Sequence, residues 1–282
     1  PRMLLLDGAI VGSELVVVGD RGTILRSSDR AHTWRAVPRA TAATLTGISF
    51  AAHPGTAGTA GWAVGHDALI LGTTDGGRTW SKQFQGGNLQ DSFLDVLALD
   101  ARHVIAVGAY AMYFETKDGG KTWSKRKVTE DDHHFNRLTR GPTGTLYLAG
   151  ERGTLLKSQD AGATWSAIAT PYDGSFFGIL PLDARSLLAY GLRGHVFRST
   201  DDGATWTRIA TPQAVILATA LKLKSGAILL AGGTGALLTS ADDGVTFSPA
   251  AQSPTKAIAE LIELPDGGLL ALGEAGAMRI AR

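Results

Sequence analysis

A short turn motif that recurs six times constrains the fold more than any other feature of the chain. Its full form, Ser/Thr-x-Asp-x-Gly-x-Thr-Trp, occupies positions 73–80. An aspartate that accepts hydrogen bonds from nearby backbone N–H groups and a glycine that tolerates a positive φ together make a tight turn. Six copies cannot all be one active site, so the motif predicts structural turns that join strands. The aspartates are Asp29, Asp75, Asp118, Asp160, Asp201 and Asp242.

A marker glycine precedes each of these aspartates by ten residues, and a seventh glycine continues the series. Successive markers lie 41 to 46 residues apart, which is the period of a four-stranded propeller blade. Short β-rich runs alternate with turn residues inside each repeat, as in all-β proteins. The sequence therefore predicts an all-β, seven-bladed β-propeller. The markers are Gly19, Gly65, Gly108, Gly150, Gly191, Gly232 and Gly273.

The repeats fill the whole chain, so residues 1–282 are predicted to form a single propeller domain. Its blades are expected to begin near residues 4, 43, 91, 134, 175, 215 and 257. The sequence stops at Arg282, before a seventh Asp turn begins. We therefore expect either a three-stranded last blade or a closing strand contributed by residues upstream of Pro1.

Bulk composition excludes several functional classes. The net charge of +1, with no long Lys/Arg block, gives no indication of nucleic-acid binding. The absence of cysteine excludes disulfides and thiol chemistry, and no apolar run is long enough to span a membrane. Asp131-Asp132-His133-His134 is interpreted as a solvated loop and not a metal site, and no cofactor is predicted. The start at Pro1 suggests a processed chain whose signal or anchor segment is absent.

Charged residues at two repeat positions are the candidate site. In a propeller the strands alternate in direction, so the links between blades share one face with the turns between second and third strands. Arg21, Arg152 and Arg193 lie two residues after a marker, in such turns. Thirteen residues before a marker, on the innermost strands, the sequence has Leu6, Asp95, Arg137, Gly178, Thr219 and Glu260.

Arginine forks bind carboxylates and phosphates bidentately and stack on aromatic rings. We therefore predict that Arg21, Arg137, Arg152 and Arg193, together with Asp95 and Glu260, converge on a partner-binding surface. The alternative is that these residues are solvated turn residues with no partner.

The Asp turns resemble the Asp-boxes of sialidases and related propellers. Seven units of about 42 residues that pair Gly-x-x-Gly with an Asp turn resemble, along the whole chain, the photosystem II assembly and stability factor family, which has many relatives in non-photosynthetic bacteria. The resemblance implies a non-enzymatic assembly factor with an arginine-rich surface, whose partner is a protein or peptide, including integral membrane proteins. It also implies a periplasmic or otherwise exported protein, and we expect a monomer.

A carbohydrate-binding or glycoside hydrolase propeller is the alternative function. A glycosidase needs two carboxyl groups that flank the scissile bond, and Asp95 and Glu260 are the best inner-strand candidates. A sialidase also needs an arginine triad and an early Phe/Tyr-Arg-Ile-Pro stretch. Arg35-Ala36-Val37-Pro38 does not supply that stretch, and no catalytic residue is predicted.

Overall fold

The computed structural model describes residues 3–51, 59–88 and 90–280. These residues form 27 strands in seven antiparallel sheets, with three short 3-10 turns. Within each sheet, each strand after the first pairs with the strand that precedes it in the chain, so each sheet is a simple meander. No helix among the described residues has the length and apolar character needed to cross a membrane.

Two compact units divide the chain. The first contains the described residues up to His134 together with Ala275–Arg279, and the second contains Phe135–Glu274 and Ile280. The sheets of the first unit comprise β1 Leu5–Val11, β2 Glu14–Gly19, β3 Thr23–Ser27 and β4 Arg35–Ala36; β5 Leu45–Phe50, β6 Gly61–Gly65, β7 Leu69–Thr73 and β8 Ser81–Gln85; and β9 Phe93–Ala98, β10 Val104–Gly108, β11 Tyr113–Thr116 and β12 Ser124–Lys125.

The next three sheets have four strands each and lie in the second unit. They comprise β13 Phe135–Arg140, β14 Leu146–Gly150, β15 Leu155–Ser158 and β16 Ser166–Ala167; β17 Phe176–Pro181, β18 Leu187–Gly191, β19 Val196–Ser199 and β20 Thr207–Ile209; and β21 Leu217–Lys222, β22 Ile228–Gly232, β23 Leu237–Ser240 and β24 Ser248–Pro249.

The last sheet has three strands, which confirms the first of the two expectations for the last blade. Its strands are β25 Ile258–Glu263, β26 Leu269–Gly273 and β27 Gly276–Ile280.

The second strand of every sheet supplies most of the core. Each is a run of Val, Leu, Ile, Ala and aromatic residues, and all five residues of strands such as β10 and β22 are buried. A strand covered on both faces needs apolar side chains at every position, which is why these runs do not alternate. In the first unit Trp62 and Phe93 belong to one such core cluster, and in the second Tyr190 and Leu217 belong to another.

The marker glycines lie where two backbones approach closely. Gly191 ends β18 in an extended conformation with φ of −178°, which any residue can adopt. A Cβ at this position, however, would lie 2.1 Å from the carbonyl oxygen of Ser175, just before β17. Steric exclusion at the sheet entry therefore explains the periodic glycine.

A β-bulge interrupts the start of the first strand in every sheet. In β13, for example, Phe135 pairs with Gly150, but the next paired residue is Arg137, with Ala149. The same register shift occurs in β1, β5, β9, β17, β21 and β25. An extra residue at a bulge changes which face the following side chains occupy. The position after the bulge, called here the post-bulge position, is therefore set apart from the apolar core.

Candidate functional site

The post-bulge positions carry most of the inner-strand residues that the sequence selects. In the first unit they are Asp7, Gly47 and Asp95. In the second unit they are Arg137, Gly178, Thr219 and Glu260. The expectation of Leu6 in the first sheet is wrong, because Leu6 is the bulged residue and Asp7 takes the equivalent position.

Glu260 is the centre of a polar cluster in the second unit. Its carboxylate accepts hydrogen bonds from Arg137 Nη1 at 2.7 Å and from Thr219 Oγ1 at 2.6 Å. The backbone N–H of Leu261 donates a third bond at 2.9 Å. The Glu260 side chain is 12% exposed and that of Arg137 is 26% exposed. Removing charges from water is costly, so this pair depends on these charge-assisted bonds.

Asp7 and Asp95 occupy the same position in the first unit. Asp7 Oδ1 accepts a bond from the N–H of Gly8 at 2.7 Å, and Asp7 Oδ2 accepts one from the N–H of Ile48 in the next sheet at 2.8 Å. Asp95 Oδ1 accepts a bond from the N–H of Val96 at 2.8 Å. Acidic residues at this position thus each bind the amide of the residue that follows.

The three turn arginines share one backbone conformation. Arg21, Arg152 and Arg193 have φ of 53°, 50° and 57°, in the left-handed region that residues other than glycine seldom adopt. All three side chains are exposed. Arg21 lies 3.5 Å from Asp20. In the part of the chain that the structure describes, Arg152 and Arg193 have no carboxylate within salt-bridge distance.

A groove of about 480 Å³ lies beside Arg193 in the second unit. It is bounded by the turn from β18 to β19 and by the link that leaves β20, and Thr211 Oγ1 in that link donates to Gly194 O at 2.7 Å. Arg208 in β20 adds a second exposed guanidinium to the lining, and His195 adds an imidazole.

His195 is held by aromatic contacts. The ring centroid of Tyr172 lies 4.9 Å away in an edge-on arrangement, and that of Phe197 lies at 6.4 Å. His195 Nδ1 is shielded from solvent and has no hydrogen-bond partner among the described residues. Burial, followed by the positive charges of Arg208 and Arg193, lowers the pKa of His195. The groove therefore combines two fixed positive charges with an imidazole that is kept neutral.

The Asp turns lie at the opposite end of each sheet from the turn arginines, because successive strands run antiparallel. Asp201 shows the bonding: Oδ2 accepts a bond from Thr205 Oγ1 at 2.6 Å, and Oδ1 accepts bonds from the N–H of Thr205 and from Ser199 Oγ, both at 2.8 Å. The same pattern closes the turns at Asp29, Asp75, Asp118, Asp160 and Asp242. The hydroxyl of Thr205 and the neighbouring donors lower the pKa of Asp201 to about 2. These carboxylates are fully engaged within their own turns.

The structure brings together some of the sequence-predicted residues and separates others. Arg137 and Glu260 are bonded to each other, whereas Arg152 and Arg193 lie in turns beside the links between sheets. Sequence reasoning missed Arg208 and His195, because no other repeat has arginine or histidine at the equivalent positions. The one available signal was local: His195 directly follows the Gly-Leu-Arg-Gly turn at 191–194. The described residues contain no group of three or more His, Asp or Glu side chains placed to hold a metal ion.

The described part of the chain forms seven antiparallel meanders with buried second strands, which is the repeat pattern of a seven-bladed propeller. Six of them carry an Asp turn at one end, and three carry an exposed left-handed arginine at the other. Residues 83–220 match the family model of the photosynthesis system II assembly factor YCF48. This match confirms the predicted resemblance to the photosystem II assembly factor-like family. Comparison with curated protein sequences gave no match.

Solved structures support the same fold. A structure of YCF48 bound to D1 peptide is 22% identical and superposes with a TM-score of 0.79, covering 100% of this chain and 92% of that one. YCF48 from Cyanidioschyzon merolae is 16% identical, with a TM-score of 0.78 and coverage of 99% and 96%. The WD40 β-propeller domain of Doa1 is 13% identical, with a TM-score of 0.75 and coverage of 98% and 92%.

Proposed function

We propose that this chain is a non-enzymatic scaffold or assembly factor that holds a peptide segment of a membrane-protein complex on its inter-blade face. The observation that carries the proposal is the pair of exposed arginines, Arg152 and Arg193, at the same turn position of neighbouring sheets. Neither has a carboxylate partner among the described residues. Unneutralised guanidinium groups on one face suit a partner that brings carboxylates. The similar protein YCF48 has been seen with a D1 peptide bound.

The remaining predicted residues receive different roles in this proposal. Arg137 and Glu260 satisfy each other, so they join the first strands of the fourth and seventh sheets and present a polar surface without a free charge. Asp95 shares their post-bulge position, and Arg21 extends the arginine-bearing face of the first unit while lying next to Asp20. The six Asp turns serve as structural Asp-boxes. We further propose a periplasmic or otherwise exported location, a monomeric state and no cofactor.

The glycoside hydrolase alternative receives no support from the geometry. Both carboxylate oxygens of Glu260 are occupied by bonds from Arg137, Thr219 and the N–H of Leu261. A general acid needs a carboxyl group that faces the glycosidic oxygen, whereas both oxygens of Glu260 face donors of the protein itself. We therefore assign no catalytic role to Glu260.

Capture from a detergent extract of the source organism, quantified by mass spectrometry, tests the proposal. The double variant Arg152→Glu/Arg193→Glu should lose at least tenfold of the enrichment of its membrane-protein partner and keep its melting temperature. Arg185→Glu is the matched control, because Arg185 is an exposed arginine of the same unit in the turn between β17 and β18, at the end of the sheet opposite Arg193. Equal capture by the double variant and the wild type would overturn the proposal. So would equal loss in the control.

A further inference from the structure

The groove beside Arg193 has more positive charge than its surroundings neutralise. Arg193 and Arg208 both line it, both are exposed, and neither has a carboxylate within salt-bridge distance among the described residues. Guanidinium groups present fixed donor forks that match a carboxylate, and they stay protonated at any physiological pH. The groove therefore has the donors and the charge for an anionic group.

His195 lies in the same lining and is the titratable group that these arginines act on most directly. The groups that face it are Arg193, Arg208 and Tyr172, and Asp173 acts on Tyr172. Tyr172 is neutral at physiological pH, and burial followed by the charge of Asp173 raises its pKa further. A proton on the imidazole would therefore add a third positive charge, with a buried Nδ1 that lacks an acceptor.

We propose that this groove binds a carboxylate group of the partner between Arg193 and Arg208, and that binding is accompanied by uptake of a proton by His195. The inference rests on the proposed function and specifies its ligand chemistry and its pH dependence. In the free protein, burial and the like charges of Arg208 and Arg193 disfavour the imidazolium. A bound carboxylate brings the opposite charge within a few ångströms, which favours it.

The sign of the linkage follows from these charges. Binding raises the pKa of His195, so the complex holds a proton that the free protein does not, and affinity increases as pH falls. A change of one pKa unit on binding corresponds to about a tenfold change in affinity between the two limits of pH. Peptide carboxyl groups have pKa values below about 4.5, so the ligand keeps its negative charge between pH 5.5 and 8. Over that range the titration of His195 determines the trend.

The test uses N-acetyl-trialanine with a free C-terminal carboxylate, and its C-terminal amide as the matched ligand, titrated into the intact protein. NMR of the histidine imidazole groups follows His195, which is assigned with the His195→Gln variant. The free carboxylate should bind about tenfold more tightly at pH 5.5 than at pH 8 and should raise the pKa of His195, while the amide should do neither. His195→Gln should still bind the carboxylate, but with less than a twofold change across the same range. Arg208→Gln should weaken binding at both pH values.

These measurements test the carboxylate site and the proton uptake without testing the proposed function. Carboxylate binding that leaves the titration of His195 unchanged overturns the proton uptake, and so does a pH dependence that persists in His195→Gln. Equal binding of the amide, or no binding at either pH, overturns the groove as a carboxylate site. Capture of the membrane-protein partner through Arg152 and Arg193 is measured independently, so it can succeed while either of these results goes against the groove.

Discussion

Arg137 donates a hydrogen bond to Glu260 at 2.7 Å, although 123 positions separate the two residues in the sequence. The bond joins the first strand of the fourth sheet to that of the seventh, and Thr219 of the sixth sheet binds the same carboxylate. One glutamate thus connects three repeats of the second unit through polar contacts.

Breaking this pair should destabilise the fold. Glu260→Gln leaves the half-buried guanidinium of Arg137 without its charge partner, and we expect a loss of about 2–3 kcal/mol in the free energy of unfolding. Arg137→Met should cost a similar amount, because it leaves the Glu260 carboxylate uncompensated. Urea denaturation of both variants measures these losses. The double variant should lose at least about 1 kcal/mol less than the sum of the two single losses, because residues in contact are not additive. Strict additivity would contradict the assigned pairing.

The Asp turns should make stability sensitive to acid. The pKa of Asp201 is lowered to about 2 by hydrogen bonds that are absent in the unfolded chain. A carboxyl group whose pKa is depressed by folding stabilises the fold above its unfolded pKa of about 3.9, and this contribution is lost as pH falls toward the folded value. We expect the melting temperature to fall between about pH 4 and pH 2, because Asp118, Asp160 and Asp242 behave in the same way.

The Thr205→Val variant isolates this effect at one turn. Loss of the hydroxyl that donates to Asp201 at 2.6 Å should raise the pKa of Asp201 toward its ordinary value. Carbon-13 NMR of the carboxyl group would show the shift directly. Thr207→Val is the matched control, since Thr207 is exposed in the same sheet and its hydroxyl has no hydrogen-bond partner in the described part of the chain. An unchanged pKa of Asp201 in Thr205→Val would contradict the assigned cause.

Alanine variants at two glycines would distinguish the cost of backbone strain from the cost of steric exclusion. Gly194 has φ of 72°, and a Cβ there would lie 2.1 Å from Gln213 O, in the link that bounds the groove. Gly226 has φ of 92°, but a Cβ there would have no heavy atom within 4 Å. Gly226→Ala should therefore cost about 1–2 kcal/mol, the penalty for alanine in a left-handed conformation. Gly194→Ala should cost at least about 2 kcal/mol more, because the link must also move. Chemical denaturation measures the free energy of unfolding of both variants. Equal losses of stability would show that the link after β20 moves at no cost.

The repeat pattern predicted the fold because it records the residues that each turn and each close backbone contact requires within one repeat. An Asp turn and a marker glycine are each determined within one repeat, and the period then counts the blades. The position of Asp7 was missed because the first hairpin is one residue shorter than those of the third to seventh sheets. Asp7 pairs with Val18, 11 positions later, whereas Arg137 pairs with Ala149, 12 positions later. Counting at a fixed offset therefore selected Leu6.

The groove was beyond prediction for a different reason. His195 and Arg208 come together because β19 and β20 pair with Val196 opposite Ile209 and Phe197 opposite Arg208. The same register recurs in other sheets, with Leu25 opposite Ala36 and Leu156 opposite Ala167, so what is particular to this sheet is the pair of side chains and not the pairing of the strands. A comparison of repeats therefore finds the residues that the blades share and does not select the residues that differ between blades.

The bulge at the start of every first strand lies between a buried apolar residue and a residue of variable chemistry. The residue before the bulge is large, apolar and at most 3% exposed in all seven sheets. The residue after it is acidic, basic, small or hydroxylated. The apolar contact at the first position is thus separate from the chemistry at the second. The second positions, however, depend on one another and on their surroundings: Arg137, Thr219 and Glu260 are hydrogen-bonded together, and a Cβ at Gly178 would lie 2.1 Å from the Tyr190 hydroxyl. Engineering a new specificity into this scaffold would begin at those seven sites.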